Sequence, residues 1–220
     1  GQLLDQRFDG GGRNLLLINT RDGQESEAPE ASLANLRAGL AHVAGLMDPD
    51  EDALLLFLTS HGSATHEFYI RNGGVEGVQI RPEHLRAALD EAGIQRRVVV
   101  VSACYSGGFV PALADARTLV ITAARHDRPS FGCGVSSRIT YFGEAFLAGA
   151  LNQTADFAEA FRLATHRVTA MEKADRFRPS HPQMAGGEDV LPWLHAWQAS
   201  FTVGPPLPYT ADGKPVGKRR

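Results

Sequence analysis

The chain has 220 residues with a formal net charge of −3, and its residues are 43% hydrophobic and 21% charged. This composition supplies enough apolar side chains for a buried core. A nucleic-acid-binding protein needs a basic face, so the charge argues against that class. The longest apolar runs, such as residues 53–58, are too short to span a bilayer. The only cysteines are Cys104 and Cys133, too few for a disulfide scaffold or a structural zinc site, and no metal-binding motif is present.

The hydrophobic pattern alternates apolar runs with amphipathic segments along the chain. It predicts, in order, a strand at 13–20, a helix at 31–47, a strand at 52–60, a hairpin at 66–80, a helix at 82–93, strands at 97–103 and 118–124, and helices at 139–151 and 155–171. Thr154 is a plausible cap for the last helix. From Asp175 onward we expect mostly irregular chain because proline and glycine are frequent, except for a short helix in LPWLHAW.

Apolar strands that alternate with helices are typical of a mainly parallel sheet covered on both faces, and hence of the α/β class. Ligands of such sheets bind outside the carboxyl ends of the strands. Two strands end in residues that can carry chemistry. The second predicted strand is followed by His61 and Gly62, and the third by Cys104.

His61 and Cys104 form a candidate catalytic pair if their strands are neighbours. A thiolate is the nucleophile, and an adjacent imidazolium lowers the pKa of a thiol. The same histidine can protonate a leaving amine. The backbone N–H groups of Gly62 and Cys104 could then form an oxyanion hole. The alternative is that both residues have purely structural roles, because a lone cysteine most often packs in the core and a lone His-Gly pair most often forms a turn.

Other cysteine chemistries fit the sequence poorly. A phosphatase loop requires an arginine six residues after the cysteine, where this chain has Val110. A redox pair requires a nearby second cysteine, and Cys133 is remote in sequence. Ser106 does not lie in the GxSxG elbow of a serine hydrolase.

The stretches TSHGS (59–63) and SACYSGGF (102–109) resemble the legumain-like cysteine peptidases, family C13 of the caspase–gingipain clan, and most closely its bacterial members. The marks of this clan are an apolar strand that ends in His-Gly and a later one that ends in Ala-Cys. The similarity extends over about residues 14–187. It includes residues 118–134, 140–146 and 179–183.

The resemblance implies a caspase-like three-layer αβα sandwich with a catalytic dyad of His61 and Cys104 and no cofactor. It implies an oxyanion hole formed by Gly62 and Cys104, and it puts residues 125–133 next to the pocket for the residue before the cleaved bond. Ser102, Ser130 and Asp127 are the candidates for lining this pocket.

Two departures from the family pattern matter. Ser102 stands where legumain-like enzymes have an acidic residue that helps to bind asparagine, so this preference does not carry over. The family also has a strand before the one at 13–20. Residues 1–12 do not have the pattern of a buried strand, so we expect this strand to be missing and the sheet edge to be exposed. We expect a peptidase domain over residues 1–190, with its core at about 14–175, and a mostly irregular extension over 191–220.

The leading hypothesis is a cysteine endopeptidase whose partner is a peptide or protein substrate. A transpeptidase that uses the same dyad, as some legumain relatives do, and a non-catalytic caspase-like interaction module are the alternatives. The sequence does not indicate an oligomeric state. The bacterial relatives suggest the cell envelope or the cytoplasm as the compartment.

Three other features near the predicted site have two readings each. Residues 125–128 are either a solvated loop or a selector for a charged substrate side chain, with Asp127 favouring a basic group and the arginines an acidic one. His66 could approach the cleft, but we expect it at the surface. We expect Cys133 to be packing; a disulfide with Cys104 would abolish activity.

Overall fold

A computed structural model describes residues 2–8, 10–19, 26–70, 79–132 and 139–209. Its four-stranded sheet has the order β1-β2-β3-β4, with β1 (Leu54–Thr59), β2 (Arg97–Ser102), β3 (Thr118–Thr122) and β4 (Gln183–Ala185). The first three strands pair in parallel, and β4 pairs with β3 in the antiparallel direction. The predicted mainly parallel sheet is therefore confirmed.

Helices cover both faces of the sheet. In chain order they are α1 (Gln2–Arg7), α2 (Leu33–Ala44), α3 (Pro82–Glu91), α4 (Val110–Leu113), α5 (Tyr141–Gly143), α6 (Phe157–Ala174) and α7 (Val190–Ala199). A π-helical turn, Glu144–Gly149, and a 3₁₀ turn, Ala150–Asn152, continue α5, so the predicted helix at 139–151 is present with an altered middle. No helix among the described residues is long and apolar enough to cross a membrane.

The valines of β2 are buried on both faces of the sheet, which explains their continuous run. Because side chains alternate along a strand, Val98 and Val100 join the apolar cluster that includes α6 and α7. Val99 and Val101 join the opposite cluster, which includes α2 and α3. The sheet thus lies between two helical layers, as the predicted αβα sandwich requires.

Helix α6 begins at a different cap from the expected one. The Asp156 side chain accepts hydrogen bonds from the backbone N–H groups of Ala158 and Glu159, whereas Thr154 accepts one from the N–H of Asp156. A carboxylate is a strong acceptor for the free N–H groups of a first turn. Asp156 therefore takes the capping position, and Thr154 shapes the preceding turn.

Residues 13–19 are not a strand, although their apolar run predicts one. Ile18 forms a single parallel bridge with Glu30, and Leu15 and Leu16 are 50% and 64% exposed. A strand needs a neighbour to bond its backbone, and within the described part of the chain β1 has only β2 beside it. Leu15 instead packs against Gly39 of α2.

Strand β4 lies in the segment that was expected to be irregular. It is only three residues long, too short to show a periodic pattern, and it pairs with Val120, Ile121 and Thr122 of β3. Part of the predicted hairpin is present as antiparallel bridges of Phe68 with Gly62 and with Ile80. Its turn at Asn72-Gly73-Gly74 lies outside the described residues.

The short helix predicted in LPWLHAW is confirmed as α7. Its Val190 and Leu194 are buried in the core, and Trp193 and Trp197 stack with ring centroids 6.1 Å apart. The buried Arg7 of α1 donates hydrogen bonds to the carbonyl oxygens of Leu151 and Gly204. These contacts hold residues near both ends of the described chain against the core.

Two glycines allow the docking of β4 to be tested. Gly93 and Gly186 have nearly equal positive φ angles of 71° and 72°, but a Cβ on Gly93 would meet nothing within 4 Å, whereas one on Gly186 would lie 2.5 Å from the Thr118 carbonyl oxygen. Gly93→Ala should cost only the left-handed strain, about 1 kcal/mol. Gly186→Ala should lower the free energy of unfolding by about 3 kcal/mol, because backbone overlap adds to the strain. Urea denaturation measures both; equal losses would contradict the described contact between Gly186 and the start of β3.

Candidate active site

The loops after β1 and β2 lie side by side at the carboxyl edge of the sheet. Thr59 is in register with Ser102, and the Ser60 N–H donates to the Ser102 carbonyl at 3.3 Å. His61 lies two residues after Thr59, and Cys104 lies two residues after Ser102. Both residues therefore follow strand ends that are aligned with each other. The sequence prediction that both would come to one edge required these strands to be neighbours, and the pairing of β1 with β2 meets that requirement.

Gly62 packs directly against the backbone of Cys104. A Cβ at this position would overlap the Cys104 carbonyl oxygen and would lie 3.1 Å from its carbon. No residue with a side chain fits there without moving one loop away from the other. The glycine after the histidine is thus required by the close approach of the two loops.

The Cys104 sulfur lies against Ser130, which is 8% exposed. The Ser130 N–H donates to Sγ at 3.3 Å, the Ser130 Oγ lies 3.7 Å from Sγ, and Sγ lies 3.4 Å from the Ser130 carbonyl oxygen. The Ser130 N–H and hydroxyl can donate to the sulfur, whereas the Ser130 carbonyl oxygen accepts from the protonated thiol, so Ser130 can contact either form. Cys104 itself is half-buried.

The turn after Cys104 is clamped onto the loop that follows β3. Tyr105 has a left-handed backbone with φ 56°, and its N–H donates to the Arg128 carbonyl at 2.8 Å. The buried Ser106 Oγ accepts from the Ala124 N–H at 3.1 Å. A Cβ on Gly107 would overlap the backbone nitrogen of His126. Ser106 therefore has a structural role, which explains a serine so close to the cysteine.

His61 is exposed, and its backbone is held by the segment that follows. The Tyr69 N–H donates to the His61 carbonyl at 2.9 Å, and the Ser60 Oγ donates to the Tyr69 carbonyl at 2.7 Å. The bridge between Gly62 and Phe68 lies between these contacts. Phe68, which is buried in the core, thus anchors the loop that carries His61.

Two of the predicted pocket residues lie close to Cys104. Ser130 contacts its sulfur, and Ser102 lies two residues before it at the end of β2, where it is 1% exposed. The Ser102 Oγ is 3.1 Å from the Oγ1 of Thr140. Both side chains are small, uncharged and buried.

Asp127 is bound to its neighbour Arg125. The Arg125 guanidinium donates two hydrogen bonds to the carboxylate, at 2.5 and 2.8 Å, and both side chains are partly exposed. This hydrogen-bonded arginine is the main reason why the pKa of Asp127 is well below its ordinary value. The negative charge of Asp127 is therefore compensated within the loop.

His66 is not the surface residue that the sequence suggested. It is half-buried, and its Nδ1 lies 3.1 Å from the carbonyl oxygen of Tyr105, the residue after Cys104. Its position five residues after His61, in the same loop, was the only sequence signal for this placement. Cys133 lies outside the described residues.

Within the described segments, no group of three or more histidine, cysteine and acidic side chains is arranged to hold a metal ion. The groups that meet at the sheet edge are a thiol, an imidazole-bearing loop and backbone amides. Such groups suit nucleophilic attack on a carbonyl.

The model of the Peptidase C13 family matches residues 4–190, which include all four strands and both loops of the site. No curated protein matches the sequence. The family match covers most of the chain and agrees with the resemblance carried by the His-Gly and Ala-Cys strand ends. The chain therefore belongs to the Peptidase C13 family, the legumain-like cysteine peptidases.

Proposed function

We propose that the protein is an endopeptidase in which Cys104 is the nucleophile and His61 is the general base and acid. The observation that carries this proposal is the contact between Gly62 and the Cys104 carbonyl, which holds the two loops together at one edge of the sheet. A peptidase of this family acts on peptide or protein substrates, and Cys104 and His61 would be the residues that cleave them.

The reaction has two stages in this proposal. His61 takes the thiol proton as Cys104 Sγ attacks the carbonyl carbon of the scissile bond. The tetrahedral intermediate collapses, the C–N bond breaks, and His61 gives the proton to the departing amine. Water then attacks the thioester with His61 as base, which releases the carboxylic acid and restores the thiol.

The oxyanion of each tetrahedral intermediate would bind the backbone N–H groups of Gly62 and Cys104. The closeness of these two residues supports this role, because donors from both loops can then converge on one oxygen. Preorganised donors of this kind are worth roughly 3–4 kcal/mol each where they have been removed by mutation. Ser130 would act before this step, because its N–H and hydroxyl groups can donate to the thiolate of Cys104 as it forms.

Ser102 and Ser130 would line the pocket for the residue before the scissile bond, and Asp127 would lie at its rim. The small uncharged groups of the two serines, together with the internal pairing of Asp127 and Arg125, support acceptance of an uncharged side chain. The opposite charges of Arg125 and Asp127 thus compensate each other as long as the pair is intact.

Removing either member of the proposed dyad tests the assignment. Cys104→Ala should abolish cleavage of a peptide blocked at both ends, which only an endopeptidase can cut. His61→Ala should lower kcat/KM by roughly 10²–10⁴-fold, the usual contribution of general acid–base catalysis.

Iodoacetamide labelling followed by peptide mass analysis should show that Cys104 reacts much faster than Cys133 in the unmodified protein. In His61→Ala, Cys104 should react more slowly. Equal, slow labelling of both cysteines would favour a non-catalytic module, and amide products formed with an added amine would indicate a transpeptidase.

The contact of Gly62 provides a second test. Gly62→Ala should lower kcat/KM at least about 100-fold, because the new Cβ must push the His61 loop away from Cys104, and misplacements of about 1 Å have effects of this size. Gly45→Ala is the matched control. Gly45 ends α2 with an ordinary φ of −69°, and a Cβ there would have no neighbour closer than 3.5 Å. Full activity in Gly62→Ala would rule out the close approach as the basis of the site.

Breaking the ion pair at the pocket rim should alter charge selectivity. Arg125→Gln leaves the Asp127 carboxylate without its bidentate partner and should increase cleavage after basic residues relative to uncharged ones. Asp127→Asn should shift the preference towards acidic residues. Profiling of a peptide library with both variants measures the change, and identical profiles would show that the pair does not face the substrate.

A further inference from the structure

The turn between His61 and the next paired segment is built by a polar network around Glu67. The Glu67 N–H donates to the Ser63 Oγ at 3.1 Å, and the Thr65 hydroxyl donates to the Glu67 carboxylate at 3.2 Å. Arg81, just before α3, donates two further hydrogen bonds to this carboxylate, at 3.0 and 2.7 Å. The bond from Arg81 is the main cause of the lowered pKa of Glu67, which therefore stays ionised. The turn that carries His66 is thus tied to a helix of the core layer.

His66 adopts a backbone conformation that is unfavourable for a residue with a side chain. Its φ is 62°, in the left-handed region. Tyr105, its partner in the opposite loop, has φ 56° and is also not a glycine. Such conformations persist only where the surroundings determine them, and they cluster at functional sites. Here they face each other across the two loops that carry His61 and Cys104.

A hydrogen bond joins the two residues, and its direction is defined by chemistry. The Tyr105 carbonyl oxygen lies 3.1 Å from Nδ1 of His66. A carbonyl oxygen can only accept, so Nδ1 must carry the proton. The same oxygen accepts from the Gly108 N–H at 3.1 Å, which closes the turn after the cysteine.

The His66 ring also occupies the space beside Gly108. A Cβ on Gly108 would overlap the ring and would lie 2.5 Å from its Cδ2. Different neighbours therefore exclude a side chain at the two glycines of CYSGG: the backbone of His126 at Gly107, and the imidazole of His66 at Gly108.

We propose that His66 is a positioning residue that fixes the Cys104 turn relative to the His61 loop through the Tyr105 carbonyl. This inference rests on the proposed dyad. The Tyr105 carbonyl belongs to the residue bonded to Cys104, so its displacement moves the nucleophile directly. His66 contacts the residue after the nucleophile, and through it His66 holds the distance between the thiol and the imidazole of the proposed dyad.

Two replacements of His66 separate positioning from bulk stability. His66→Gly removes the hydrogen bond but relieves the left-handed strain, so the melting temperature should change little. It should lower kcat and the rate of Cys104 alkylation by about 10–100-fold, with little change in KM, because geometry rather than binding is lost. His66→Asn should recover most of the rate, since asparagine tolerates a positive φ and its amide can donate to the Tyr105 carbonyl. His42→Ala, which removes an exposed histidine of α2, is the control and should have no effect.

A double-mutant cycle with Gly108 tests the contact itself. Gly108→Ala should reduce the alkylation rate in the unmodified protein, because its Cβ displaces the imidazole. In the His66→Gly background the space is open, so Gly108→Ala should add no further loss. Independent, multiplying losses would contradict the packing of the ring on Gly108.

Three results with the His66 variants would overturn the inference. His66→Gly with unchanged kcat and alkylation rate would show that the hydrogen bond does not position Cys104. Failure of His66→Asn to recover the rate, or a rate loss in His66→Gly that follows only the unfolded fraction seen by circular dichroism, would indicate a merely structural role. These results leave the proposed function intact if Cys104→Ala and His61→Ala are inactive. If Cys104→Ala retains full activity, the proposed function fails, and the positioning role fails with it.

Discussion

The parallel pairing of β1 with β2 is the constraint on which the site depends. With Thr59 in register with Ser102, the chain leaves both strands at the same level of the sheet, and the next residues must share one edge. The missing side chain of Gly62 then lets the two loops touch at the Cys104 carbonyl. A shift of one strand past the other would separate His61 from Cys104, because strand register determines where each loop begins.

The two loops are held by different means. The Cys104 turn is fixed by backbone and hydroxyl contacts to the loop after β3, through Ser106 and Ser130. The His61 loop is fixed by the buried Phe68 and by the ionised Glu67 with Arg81. The ion pair is partly exposed, so it contributes little to the free energy of unfolding. Its main effect is to fix the conformation of the turn. Catalytic groups placed on rigid supports keep the geometry that nucleophilic chemistry requires.

The sequence predicted those features that follow from local pattern. The valine run of β2, the amphipathic helices and the two strand ends at His61 and Cys104 were all readable, because burial imposes a period on the sequence. The segment at 13–19 has the pattern of a strand, but among the described residues it pairs only through the bridge of Ile18 with Glu30. Strand β4 has a neighbour but is too short for a pattern. Both differences arise because a strand is defined by its partner as well as by its residues.

The sequence by itself determined that a histidine-glycine pair and a cysteine follow two buried strands of an α/β protein, since chain order and hydrophobic spacing are local properties. Only the tertiary structure decided that β1 and β2 are neighbours, that Ser130 lies against the sulfur and that His66 reaches the Tyr105 carbonyl. The last two contacts join residues 26 and 39 positions apart. They depend on the path of each loop and on strand register, which are set by packing of the whole chain and leave no periodic trace in the sequence.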